Sequence, residues 1–203
     1  IVSFILFASL FLRRREFMRP LLLKLQSMAD RRAVTIILSL AFLLRLGWIL
    51  WSPHVPPAPI TEDAQIWRHA RNLASGVGFI SLSGEYTAYR PIGYPLFLSI
   101  LIRAFGPHLM VAELVNVLVG VLNVFFIYLI SKKLESGLFG AWVAFVYTLY
   151  PTAIMSTKLL MDEHLFILLW LIGIYLLISD YQKPSYKKFL LASLMVGVSA
   201  VFR

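Results

Sequence analysis

The sequence predicts an all-α integral membrane protein, a polytopic helix bundle with a large first extracytoplasmic loop that contains juxtamembrane amphipathic helices. Three observations lead to that class. Hydrophobic residues make up 60% of the chain and charged residues 14%, with a mean hydropathy of +0.80, so there is too little polar surface to cover a soluble globule of this size. Apolar runs of about 20 residues, the length that crosses a hydrocarbon core, recur along the chain. Between the first two lies a polar, aromatic stretch punctuated by Gly and Pro, Ile60 to Pro95, which cannot cross lipid and must sit at one membrane face.

Charge and cysteine usage narrow the class. The chain has no cysteine, which excludes a disulfide framework, a thiol nucleophile and a Cys-based metal site. The net charge of +9 does not point to nucleic acid, because seven of the 19 basic residues (Arg13, Arg14, Arg15, Arg19, Lys24, Arg31, Arg32) fall in one short segment beside an apolar run. That is how a cytoplasmic flank is built. The chain begins and ends inside apolar runs, so we expect it to be part of a longer protein.

In order, residues 1–12 are apolar but too short to span, and they read as a cut helix, an interfacial helix or a signal-like stretch followed, not preceded, by its arginines. Residues 1–32 thus form an apolar stub plus a basic cytoplasmic segment. Residues 33–203 form the membrane part, with a first span at about 33–51 that runs outward and ends at Trp48 and Trp51, where an aromatic belt belongs. Arg45 lies inside that span. Snorkelling to the outer interface is the slightly favoured reading, and a functional intramembrane site is the other. The prolines of HVPPAP then end the helix.

The external loop, residues 52–108, opens with a short amphipathic helix. Thr61 is its N-cap, Glu62 and Asp63 fill the first turn where the helix dipole favours anions, and Gly76 offers a C′ stop. Ile66, Trp67, Ala70, Leu73 and Ala74 share one face, with Gln65, Arg68, His69 and Asn72 elsewhere. Residues 79–90 suit a loop or hairpin. The apolar run 93–104 is too short to span and reads as a second interfacial helix. That assignment sends the next span, about 109–130, inward and leaves Lys132 and Lys133 in the cytoplasm. Spans at about 138–157 (outward) and 159–178 (inward) then place Lys183, Lys187 and Lys188 inside as well, and 190–203 begins a fifth, incomplete span. Ala112, Asn116 and Gly120 recur every four residues as a close-packed seam.

This topology collects Glu62, Asp63, Arg90, Asp162 and Glu163 on the outer face, and Arg203 approaches it. An outward carboxylate at a helix N-terminus suits a general base for an acceptor hydroxyl or amine, and an Arg beside it suits a phosphate leaving group. Each residue has an equally weighted plainer reading: Glu62 and Asp63 as dipole partners, Arg90 as a headgroup anchor, Asp162 and Glu163 as a solvated cap. The histidines His54, His69 and His164 show no ligand spacing.

The ordered motifs ARNLASGVGF, YRPIGYPLFLSILIRAFG, NVLVGVLNVFFIYLISKKL, LYP, DEHLF and VFR resemble the amino-terminal half of the GT-C membrane glycosyltransferases, in the group of protein O-mannosyltransferases and the lipid A aminoarabinose transferase. The resemblance covers residues 33–203 and rests on order and spacing. It implies a plasma (inner) membrane, multi-pass hexosyl- or pentosyltransferase of inverting mechanism. Such an enzyme takes a polyprenyl-phosphate sugar donor to a lipid, glycan or protein acceptor on the extracytoplasmic face, with membrane lipid around it and no nucleic acid. It also implies Asp63 as catalytic base and Arg90 as the donor-phosphate contact, with Glu163 and Arg203 matching an acidic and a basic family position. The acidic pair stands closer to Gly76 than in the family pattern, which offers Glu62 as the base instead. No cofactor is implied for certain, and a divalent metal, used in some branches, stays open. The rival reading is a transporter or lipid flippase without transferase chemistry, which would show broken helices and polar groups at the bilayer midplane; these spans read as mostly apolar at their centres.

Overall fold

The first helix, α1 (Asp30–Trp51), is 22 residues long and apolar throughout its middle. Ile36, Leu43 and Leu50, spaced by sevens, are exposed along one side, while Ile37 and Ala41 are buried on the other. A helix with oily residues on its outward face is built for lipid. The computed structural model describes residues 30–53, 61–81, 83–179 and 185–203. The expected stub 1–12, basic residues 13–29, the proline run 54–59 and Lys183 lie outside the described residues.

Helices α2 (Glu62–Ala74) and α3 (Gly93–Phe105) follow, then α4 (Leu109–Leu134), α5 (Gly137–Thr148), α6 (Pro151–Met155) with a 3-10 turn (Ser156–Lys158), α7 (Glu163–Ser179) and α8 (Tyr186–Ser199). The described residues are thus mostly helical. Two helices, α1 and α4, are long and apolar enough to cross a membrane, or three if α5 and α6 count as one bent span.

Contacts at the two ends of α1 establish its neighbours. Asp30 accepts a hydrogen bond from Lys132 Nζ at 3.0 Å, and a Cβ on Gly137 would overlap the same carboxylate. At the far end Trp48 Nε1 donates to the Met155 carbonyl at 3.2 Å. Lys158 Nζ donates to the carbonyls of Ser52 and Pro53, both at 2.7 Å. The α4–α5 turn therefore sits at one end of the bundle and the turn after α6 at the other.

Three span expectations need correction. The stretch 138–157 is not one straight helix, because α5 and the Pro151–Lys158 segment are bent by 65°. Pro151 occupies N1 of α6 and keeps Tyr150 extended at φ −65°, ψ 113°, since the residue before proline is pushed out of the α region. The span expected from 159 begins only at Glu163, because Leu159 is extended. The last helix ends at Ser199, so Arg203 follows a turn and is not carried on a helix.

Between α1 and α4 the described residues form α2, a short hairpin and α3. Thr61 has the extended backbone of an N-cap and Glu62 and Asp63 fill the first turn of α2. Gly76, at φ +80°, ends it: Gly76 N–H donates to Leu73 O and Val77 N–H to Asn72 O, the paired bonds of a Schellman stop. A short hairpin follows, with Ile80 bridged to Tyr86. Ile66 and Ala70 of α2, Tyr94 and Leu98 of α3, Ala112 of α4 and Leu160 form one buried cluster. Arg103 bolts the pair together, donating to the carbonyls of Ala74 (3.1 Å) and Leu73 (3.0 Å). His69, expected on the polar side, is buried instead, because the hairpin folds over it and Phe79 lies 4.3 Å from its ring.

Arg45 does not snorkel. It is wholly buried, its Nη1 donates to Ala41 O at 3.2 Å, and it lies against Gly120, where a Cβ would come within 2.8 Å of Nε. Asn116, Asn123, Thr148 and Thr157 are also buried, so the bundle interior is more polar than its hydropathy suggests. Hydropathy averages over a helix and does not see which few polar side chains turn inward.

Candidate functional site

Arg90 precedes Pro91 at the entry to α3, and 28 positions earlier Glu62 opens α2. Packing of the two helices brings them together: Arg90 Nη1 donates to a Glu62 carboxylate oxygen, and Arg90 Nε donates to Gln65 Oε1 at 3.2 Å. Glu62, Gln65 and His69 share a stripe of α2 at i, i+3 and i+7. Asp63, one residue on, starts the stripe of Ile66, Trp67 and Ala70, whose lower part is buried against α3. Glu62 is thus the acid that meets Arg90, and Asp63 begins the neighbouring stripe of α2.

On the Arg90 side lies a cavity of about 370 Å³ lined by Gln65, Arg68, His69, Ser81, Thr87 and Arg90 among others. Two guanidinium groups, hydroxyls and an amide line it, and no carboxylate does. Burial lowers the His69 pKa, and the charges of Arg68 and Arg90 lower it further, against a hydrogen bond with the Ile80 backbone. The imidazole is therefore neutral near pH 7. Arg68 Nε and His69 Nδ1 are buried without a hydrogen-bond partner.

Asp162 lies in the turn before α7. Burial raises its pKa first, and the charges of Glu163 and Glu62 raise it further, while Arg203 opposes them. The same turn that ends the chain brings the Arg203 guanidinium to 5.6 Å from the Phe166 ring centre. Glu62, Arg90, Asp162, Glu163 and Arg203 therefore lie near one another at one end of the bundle, with Arg203 arriving by a turn and not on a helix. Among the described residues no three His, Asp or Glu side chains cluster closely enough to hold a metal ion.

Sequence reasoning missed Gln65, Arg68 and His69 as cavity residues and Asn116 as more than packing. Tyr94 Oη donates to Asn116 Oδ1 at 3.0 Å, and Asn116 Nδ2 donates to the carbonyls of Thr157 (3.3 Å) and Leu159 (3.1 Å). An Asn in the middle of an apolar span is itself a signal, because it must find partners there. The seam of Ala112, Asn116 and Gly120 is buried as expected, but only its two small members serve packing alone.

Residues 89–203, more than half of the chain, match the family model described as dolichyl-phosphate-mannose-protein mannosyltransferase. No curated protein and no solved structure gives a significant match. The matched stretch starts one residue before Arg90 and runs through α3 to Arg203, so it takes in most of the converging groups. The chain belongs to the dolichyl-phosphate-mannose-protein mannosyltransferase family, a family of membrane glycosyltransferases.

Proposed function

We propose that this protein moves a sugar from a polyprenyl-phosphate-linked donor to a lipid, glycan or protein acceptor at the extracytoplasmic face of the plasma (inner) membrane. The observation that carries the reading is the pairing with Glu62 of Arg90, which itself lines a cationic, hydroxyl-bearing cavity. Arg90 would hold the donor phosphate, and a carboxylate of the Glu62/Asp63 pair would act as base. Contact with Arg90 favours Glu62 of the two, since the base must work beside the bond that breaks.

In the inverting step the acceptor hydroxyl gives its proton to the carboxylate while its oxygen attacks the anomeric carbon. The bond from that carbon to the phosphate oxygen breaks, and its electron pair leaves on the phosphate, where Arg90 stabilises the added charge. A phosphate arriving at Arg90 competes with Glu62 for the same N–H groups. Donor binding would thereby release the carboxylate for its work as base.

The test is sugar transfer by the full-length protein carrying Glu62→Gln or Asp63→Asn. Loss of a base costs ~10²- to 10⁴-fold in rate, whereas loss of a dipole-matched surface acid costs only ~0.3 to 1 kcal/mol of stability. Glu62→Gln is expected to show the large loss with donor binding retained. The large loss in Asp63→Asn would move the base to Asp63. Near-normal transfer in the double variant would remove the pair and leave Asp162 or Glu163. The bend between α5 and α6 and the buried Arg45 are also features of a transporter or flippase; a protein of that kind would bind the lipid phosphate and transfer no sugar.

A further inference from the structure

Asn116 joins two parts of the chain that the site needs in register. Its Oδ1 accepts from Tyr94 at 3.0 Å, four residues beyond Arg90 on α3, and its Nδ2 donates to the carbonyls of Thr157 and Leu159, just before Asp162 and Glu163. Tyr94 and Asn116 are each 1% exposed and Thr157 is wholly buried, while Leu159 is partly exposed. The two accepting carbonyls belong to the segment 156–162 that the bent α5–α6 pair leaves out of α-helix. Carbonyls inside the protein that an α-helix does not satisfy need partners from elsewhere, and Asn116 supplies them for the buried Thr157 carbonyl and the partly buried Leu159 carbonyl. Further down α4, Asn123 Nδ2 donates to the His164 carbonyl at 3.2 Å, so the segment is held from the same helix on both sides of the acidic pair.

We infer that Asn116 is a positioning residue that sets α3, with Arg90 at its entry, against the Asp162–Glu163 turn. The inference rests on the reading of these groups as the transfer site. Its chemistry is that of an amide and nothing else of this size: one acceptor for the tyrosine hydroxyl and two N–H groups for two carbonyls. An Asp in its place keeps the acceptor and loses both donors, and Tyr94→Phe cuts the α3 link and leaves the other two bonds.

The test uses the full-length protein in lipid nanodiscs, cysteine-free as it stands over these residues, with spin labels at Ile100→Cys on α3 and Leu159→Cys, both exposed. The parent should give one narrow interspin distance. Asn116→Ala and Asn116→Asp should broaden or shift it, and Asn116→Gln, which carries the same groups on a longer arm, should partly restore it. In transfer assays Asn116→Ala should lower kcat by about 100-fold, the size of effect that a misplacement of about 1 Å produces, with KM for the donor changed much less. Substitution of Glu163 by Gln should then cost little more in the Asn116→Ala background than the latter alone, because groups that act as a unit are not additive. An unchanged distance distribution in Asn116→Ala overturns the inference whatever the rate, and so does a changed distribution with the parent kcat. Failure of the site reading looks different: Glu62→Gln and Arg90→Ala would then transfer at the parent rate while Asn116→Ala still broadened the distance.

Discussion

Arg90 and Glu62 stand 28 positions apart and share a hydrogen-bonded ion pair, formed because α2 and α3 lie side by side around Ile66, Ala70, Tyr94 and Leu98. The pair is half open, with the Arg90 side chain 24% exposed and that of Glu62 51%. Its worth to stability is accordingly small, about 0–1 kcal/mol, and its interest lies in what the two groups can do when a phosphate arrives.

Arg90→Lys keeps the charge but loses the planar fork that reaches Glu62 and Gln65 together. Donor affinity is expected to fall modestly in Arg90→Lys and much more in Arg90→Ala, measured by direct binding of polyprenyl phosphate to the purified protein. Parent-like binding by both variants would return Arg90 to the role of a headgroup anchor.

Sidedness can be read with single cysteines. Ser83 and Lys133 are both exposed, whereas Ser131 is buried and would resist labelling on either side. An impermeant thiol reagent added to intact cells should modify Ser83→Cys and spare Lys133→Cys. Labelling of position 133 would mean that α3 crosses the membrane and that the charged groups do not share the outer face.

Gly120 makes room for Arg45. Alanine there would bring a Cβ to 2.8 Å from Nε, an overpacking expected to cost ~1 to 3 kcal/mol. Arg45→Met, with a flexible and uncharged arm, should relieve most of that cost, so the double variant should be more stable than the sum of the two single changes by ~0.5 to 3 kcal/mol. Strict additivity in thermal unfolding would show that the two residues do not press on each other.

His69 carries a pH dependence of definite sign. Its folded pKa is depressed by burial and by Arg68 and Arg90, so the unfolded chain takes up a proton more readily than the folded one. The stabilising difference is fully present above the ordinary histidine pKa of about 6.5 and is lost as pH falls below it toward the folded value. Midpoints of thermal unfolding should therefore drop on acidification below that range, and His69→Phe should flatten the drop. An equal drop in both proteins would place the acid sensitivity elsewhere.

Class, helix content and the polar loop were legible in the chain itself, because membrane burial is written in composition and run length, and because Thr61, Glu62, Asp63 and Gly76 mark the ends of α2 with local chemistry. Counting spans against basic loops led to the expectation that Glu62, Asp63, Arg90, Asp162 and Glu163 share one face. What only the tertiary structure decided is which polar groups meet. Arg45 reads as a snorkelling residue until α4 presents Gly120 to it, His69 reads as solvent-facing until the hairpin closes over it, and Asn116 reads as a small seam residue until Tyr94 and two carbonyls converge on it. The bend at Pro151 belongs between the two: proline announces it, but only the structure gives its 65° angle. Hydropathy is a sum along one helix, and each of these contacts depends on a partner from another.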